Sequence, residues 1–291
     1  MKLRSVVLRH EKRWVHDVGG ELRLLPKGTT IASILQSSDP LAVAASFTGE
    51  KVCAAELADA APPLEDQEVW AAGVTYQSSK MARLTESGQS TCYEKVYAAS
   101  RPQVFPKGRG RDVITSGKPL TLRPDSSWTV PEPELVLVLS AVGRIVGVTA
   151  GNDLSCRDVE GENPLYQPQA KIWAGSCALA PVVVLTNDLD WIRTRDIRMT
   201  IVRGGQTIFA GATNTAQIVR PLEQLAQTLF AYRNFPDGAF LFTGTGVVPP
   251  DDFTLRDGDN VEIEIEGVGS VKNVCSNAVP GRLITSIRSN L

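Results

Sequence analysis

The sequence predicts an α+β fold in which a small α/β unit, residues 1–65, precedes a larger β-rich domain, residues 66–291. Three observations carry that expectation. From Val69 onward most of the chain is short strand-like runs separated by Gly, Pro and Asp. Helical patterns are few and isolated among them. Ala61-Pro62-Pro63 interrupts regular structure between the two parts and reads as a linker.

In chain order, Arg4 to Leu8, Arg13 to Val18 and Glu21 to Leu25 read as strands, with Gly19-Gly20 as the hairpin turn between the last two. Helices follow at Ile31 to Gln36 and at Leu41 to Phe47, the second started by Asp39-Pro40. In the larger part, strands are expected at Leu135 to Leu139, Arg144 to Ala150, Val182 to Leu185, Arg198 to Arg203 and Val261 to Glu266. Two longer helical patterns cover Ser78 to Lys95 and Thr215 to Phe230.

Composition narrows the class. Hydrophobic residues make up 43% and charged residues 21%, as in ordinary globular chains, so wholesale disorder is excluded. Lys and Arg total 30 against 32 Asp and Glu, a formal charge of −2, which leaves no basic footprint for nucleic acid or an acidic membrane surface. No apolar run approaches the roughly 20 residues of a membrane span. The first residues are too charged for a signal peptide. Five scattered cysteines without a CxxC pair argue against a disulfide framework or a zinc site. The expectation is a cytoplasmic enzyme or binding protein that engages neither nucleic acid nor membrane.

The most informative stretch is Pro131-Glu132-Pro133-Glu134-Leu135-Val136-Leu137-Val138-Leu139. Residues two apart on a strand share a face, so Glu132 and Glu134 point together. Pro131 and Pro133 remove ladder donors, which suits a sheet edge or a strand entrance. Two adjacent carboxylates repel and call for a compensating positive charge, which a hard divalent cation provides. A hairpin through Gly143 can return Asp153 to the same place as a third acid. From alternation alone, the pair is equally compatible with the solvated face of an edge strand.

Several motifs together resemble the fumarylacetoacetate hydrolase superfamily. They are Glu132-Pro133-Glu134, Gly151-Asn152-Asp153, Ser155-Cys156-Arg157-Asp158, Lys171, Gly175 to Pro181, Thr243-Gly244-Thr245-Gly246 and the hairpin Val261 to Gly267, in order over about residues 66 to 280. Tyr93 to Tyr97, Arg101-Pro102 and Glu160 to Tyr166 are similar to its sugar-acid dehydratase branch. The resemblance implies a mixed β-roll catalytic domain. It further implies Mg²⁺ (with Mn²⁺ equally acceptable) on Glu132, Glu134 and Asp153, a small 2-oxo acid substrate, and a homo-oligomer, dimer or tetramer.

Three carboxylates and one Mg²⁺ sum to −1, and a nearby Lys171 ammonium brings the site to zero. Within the superfamily the metal holds a 2-oxo acid and stabilises the enolate formed when C3 loses a proton. The C–C hydrolases there use a His–Glu pair on a lid ahead of the metal motif. In this chain His10 and His16 are the only histidines, and both lie in the first unit. That favours elimination of a hydroxyl, which needs a base and an acid but no attacking water. The expected activity is dehydration of a 2-keto-3-deoxy sugar acid to 2-oxoglutarate semialdehyde, with Lys171 as base and Glu94 as acid. Relatives carry an acid where Gln103 stands, and an amide cannot transfer a proton. The alternative is a C–C hydrolase or decarboxylase of acylpyruvates or oxaloacetate at the same metal. Thr75, Lys107, Gly244 and Thr245 are the expected substrate contacts. Arg157 and Asp158 read as an ion pair behind the ligands, and Cys156 and Cys177 as small buried hydrophobes.

Overall fold

The computed structural model describes residues 1–18, 20–53, 57, 59–76 and 95–277. An N-terminal meander is formed by β1 (Lys2–Leu8), β2 (Glu11–Val18) and β3 (Glu21–Leu24), followed by helices α1 (Ile31–Leu35) and α2 (Pro40–Ser46). Thr30 and Asp39 cap these helices, each accepting a backbone N–H in the first turn. Next come β4 (Asp59–Ala60), β5 (Glu68–Gly73), β6 (Gln103–Arg109), β7 (Leu120–Thr121) and β8 (Thr129–Val130). The central hairpin is β9 (Pro133–Leu139) and β10 (Ile145–Asp153), after which β11 (Ser155–Cys156) leads into α3 (Arg157–Glu162) and α4 (Gln167–Lys171). The remainder comprises β12 (Cys177–Leu179), β13 (Val182–Leu185), α5 (Leu189–Ile192), β14 (Asp196–Arg203), β15 (Gln206–Asn214), α6 (Leu222–Phe230), β16 (Ala239–Phe242), β17 (Asn260–Ile265) and β18 (Gly269–Ser276).

Among the described residues these strands make one large mixed sheet in the order β3-β2-β1-β13-β10-β9-β16-β5-β6 and a five-stranded sheet in the order β15-β14-β17-β18-β7. The meander joins the large sheet by antiparallel pairing of Lys2 with Val184 and Arg4 with Val182. Strand β9 runs through the middle of that sheet and is buried along its whole length. Its continuous Leu/Val run is the pattern of a strand covered on both faces. Leu135, Leu137 and Leu139 enter one core with Ile197, Met199, Ile263 and helix α6. Val136 and Val138 enter the other with Leu3, Trp14, Ile31 and Phe242.

Two expectations need correction. Helix α6 starts at Leu222, not Thr215, because Pro221 cannot continue a helix and takes the N-cap place; a single 3₁₀ turn covers Thr215–Gln217. Its buried Leu222, Leu225, Ala226 and Leu229 recur with helical spacing. The edge-strand alternative for the glutamates also fails. Pro133 is the first residue of β9, an entrance position, and the strand is flanked by β10 and β16. The helix expected over Ser78 to Lys95 lies almost wholly outside the described residues. No helix among the described residues is long and apolar enough to cross a membrane.

Candidate metal centre

The β9–β10 hairpin builds the centre. Glu134 pairs with Gly151 and Pro133 with Asn152, and the Asp153 N–H donates to the Glu132 carbonyl at 3.0 Å. That register puts one ligand atom from each of Glu132, Glu134 and Asp153 within 4.8 Å of the others. All three residues are at most 2% exposed, so their charges are buried rather than solvated. Gly151 is required by close approach: a Cβ there would lie 2.5 Å from the Phe242 ring and 2.8 Å from Val136.

Cationic and amide donors surround the trio. Lys171, at the end of α4, places Nζ 2.7 Å from Glu132 Oε2 and 3.1 Å from Asp153 Oδ2, and also donates to Ser155 Oγ. The Arg157 Nη2 donates to Glu132 Oε1 at 2.7 Å. Lys107 Nζ lies 2.7 Å from Asp153 Oδ1 and donates to the carbonyls of Lys171 at 2.5 Å and Leu154 at 3.0 Å. The Gly244 N–H donates to Glu134 Oε2 at 2.6 Å, and Asn152 Oδ1 accepts the Glu132 N–H at 3.1 Å. Burial pushes the Glu134 carboxyl well above the ordinary carboxylate range, and the charges of Asp153 and Glu132 push the same way. Lys171 and the Gly244 N–H oppose them. Three buried carboxylates of this kind form a hard oxygen donor set, which fits Mg²⁺ or Mn²⁺.

Glu132, Glu134, Asp153, Lys171, Gly244 and Thr245 line one cavity together with Arg157, Phe105, Gly73 and Val74. Thr75 and Lys107 stand behind that wall. Thr75 is fully buried and its hydroxyl donates to the Thr243 carbonyl at 2.5 Å, bracing the turn that carries Gly244. Val74, beside it, has φ +57°, a strained region for a β-branched residue. Glu94 lies outside the described residues. Arg157 takes a larger part than the sequence suggested: it pairs with Glu132, whereas Asp158 accepts from Ser126 Oγ and from the Ser127 N–H and Oγ. Its position four residues after Asp153 was the available signal. Cys177 packs beneath the site, with burial pushing its thiol up to about 12.

Residues 69–276 match the fumarylacetoacetate (FAA) hydrolase C-terminal family. The chain is 44% identical over 211 residues to a probable 2-keto-3-deoxyxylonate dehydratase of Haloferax volcanii, covering 72% of this chain and 73% of that one. It is 42% identical over 214 residues to a 2-dehydro-3-deoxy-D-arabinonate dehydratase of Saccharolobus solfataricus, covering 72% of each. Among solved structures, a 2-keto-3-deoxy-D-arabinonate dehydratase complexed with magnesium and 2,5-dioxopentanoate superposes with a TM-score of 0.84 at 34% identity, over 95% of this chain and 99% of that one. The motifs, the hairpin geometry and these similarities agree: the chain belongs to the fumarylacetoacetate hydrolase family.

Proposed function

We propose that this protein is a Mg²⁺-dependent dehydratase that converts a 2-keto-3-deoxy sugar acid, a pentonate such as 2-keto-3-deoxy-D-arabinonate, to 2-oxoglutarate semialdehyde. The observation that carries this reading is the buried Lys171 ammonium bonded to two members of a carboxylate trio on the wall of one cavity. The two dehydratase relatives, each covered over nearly three-quarters of its length, support the same reading.

Glu132, Glu134 and Asp153 hold the cation. When bound, Mg²⁺ polarises the keto and carboxylate oxygens of a 2-oxo acid, and its charge favours the neutral amine on Lys171. Lys171 Nζ then removes the C3 proton, and the resulting electron pair forms the C2–C3 enolate. Collapse of that enolate forms the C3–C4 double bond and expels the C4 hydroxyl, which takes a proton from an acid and leaves as water. For a pentonate, this leaves a 3,4-unsaturated 2-oxo acid with a C5 hydroxyl; loss of a proton from C5 and protonation at C3 give the C4–C5 enol, which tautomerises to the semialdehyde. Glu94 is our assignment for the acid. Gly244 and Thr245 form the wall against which the substrate is oriented. Arg157, on the same wall, keeps a positive charge beside the developing enolate. Cytoplasmic localisation and assembly into a homo-oligomer accompany this proposal.

A product assay tests it: both C4 epimers of 2-keto-3-deoxypentonate, with Mg²⁺ and with EDTA. Semialdehyde is read through an NADP-linked dehydrogenase and pyruvate through lactate dehydrogenase. Metal-dependent semialdehyde is expected. Pyruvate from an acylpyruvate, with no semialdehyde from either epimer, would replace the dehydratase with a C–C hydrolase.

A further inference from the structure

We infer that Lys107 and Ser176 are positioning residues for the base: together they clamp the backbone of Lys171 and fix where its Nζ stands beside the cation site. The inference rests on the reading of Lys171 as the base of a dehydratase. Lys107 stands behind the cavity wall, and its side chain is 0% exposed. Its Nζ donates to the Lys171 carbonyl at 2.5 Å and to the Leu154 carbonyl at 3.0 Å. Leu154 follows Asp153 directly, so one ammonium joins the helix of the base to the chain just past a metal ligand. Ser176 Oγ donates to the same Lys171 carbonyl at 3.0 Å.

The local structure explains why a clamp is needed. Helix α4 has five residues, Gln167–Lys171, with Pro168 in its first turn. Helices this short are marginal on their own, so tertiary contacts must fix the last residue. Lys171 is 1% exposed, and its carbonyl, like the others of a last turn, has no partner within the helix. Its side chain is a flexible four-carbon stem, so the aim of Nζ depends on where the backbone is anchored. The clamp is itself held. Ser176 Oγ accepts the Trp173 N–H at 3.2 Å, and Trp173 Nε1 donates to the Thr121 carbonyl at 2.8 Å. Lys107 Nζ lies 5.4 Å from the centre of the Trp173 ring and 3.4 Å from Ser176 Oγ. The Leu154 N–H donates to the Ser176 carbonyl at 3.1 Å, which closes the link between the ligand strand and the base.

A clamp of this kind determines which kinetic constant moves when it is lost. Shifting a reacting group by about 1 Å can cost about 10²-fold in rate. Lys171 acts as C3 loses its proton, so loss of the clamp should lower kcat and leave KM where it was. A direct contact between Lys107 and substrate would do the reverse and raise KM. The two clamp residues differ in one respect. Lys107 Nζ also lies 2.7 Å from Asp153 Oδ1, whereas Ser176 bonds to no carboxylate among the described residues. Ser176→Ala therefore loosens the base and leaves the cation ligands untouched.

Steady-state kinetics of the full chain on 2-keto-3-deoxypentonate, read as semialdehyde at saturating Mg²⁺, test the inference. Calorimetric titration with MgCl2 sets the saturating concentration for each variant, and circular dichroism verifies that it is folded. Lys107→Met, which keeps the length of the side chain and removes its charge, should lower kcat about hundredfold with KM held. Ser176→Ala removes one of the two donors and should lower kcat about tenfold, with KM and the affinity for Mg²⁺ both held. Where Lys107→Met does not fold, Ser176→Ala decides alone. A raised KM at wild-type kcat in Lys107→Met would overturn the inference and make Lys107 a substrate contact. Wild-type kcat in folded Ser176→Ala would overturn it as well. Absence of semialdehyde from the wild type with both C4 epimers would instead overturn the dehydratase reading, and this inference with it.

Discussion

Replacing Gly244 with alanine probes the turn that supports Glu134. Gly244 has φ +90°, and a Cβ added there would collide with Thr75 Oγ1. A left-handed backbone costs an L-residue about 1–2 kcal/mol. The added methyl must also displace the Thr75 hydroxyl from the Thr243 carbonyl, and overpacking of a tight site costs typically ~1–3 kcal/mol. The sum is about 2–5 kcal/mol. Gly258 provides the control, since it has φ +84° and nothing within 4 Å of a Cβ. Gly258→Ala therefore carries only the backbone part. Urea unfolding of both variants, compared at equal slope, measures the difference. The steric account is refuted if Gly244→Ala is no less stable than Gly258→Ala. Thermal scans should agree, at about 2–4 °C per kcal/mol for a chain of this size or slightly less.

Lys171→Met should lower kcat by at least about a thousandfold, the upper range for loss of a general base, while calorimetry still registers Mg²⁺; full activity in the variant would remove Lys171 from the mechanism. The thiols should respond to pH as their burial dictates. Cys177 and Cys275 are pushed up to about 12, so the folded chain retains protons that the unfolded chain loses above about 9. Stability should thus decline as pH rises from about 9 toward 12, by about 1.4 kcal/mol per unit for each thiol. Alkylation at pH 8 followed by peptide mapping should label exposed Cys53 and spare Cys156, Cys177 and Cys275; labelling of Cys177 in the folded protein would contradict its burial. At Val74, the +57° backbone inverts the usual order of small residues, so Val74→Gly should be about 1 kcal/mol more stable than Val74→Ala by denaturant titration.

The parts of the centre that were legible in the sequence are those that one hairpin joins. Glu132, Glu134 and Asp153 sit on β9 and β10, so period-two alternation and a single turn sufficed to bring them together. Lys171 became legible through its motif context. Lys107 shows the limit of that reasoning. It lies on β6, at the far side of β9, β16 and β5, and a lone lysine after Phe105-Pro106 carries no local mark of burial. Only the assembled sheet shows it against Asp153. Gly244 was expected as a substrate contact, but its N–H on Glu134 depends on where the 243–246 turn closes over β9, which no residue pattern encodes. Secondary structure failed where a helical pattern ran through Pro221, since periodicity counts side chains and ignores the missing N–H.

The groups around the centre have a consequence for the order in which the enzyme is made. Glu132 and Asp153 are paired within the chain with the cations of Lys107, Arg157 and Lys171, and Glu134 accepts the Gly244 N–H. Small metallodomains whose ligands have no internal counterions stay unfolded until the ion arrives. Here the chain provides its own, so folding during synthesis need not wait on the ion supply, and loading becomes a later, separable event. A chelator should therefore silence the enzyme without melting it, and returning the ion should revive the same molecules with no refolding lag.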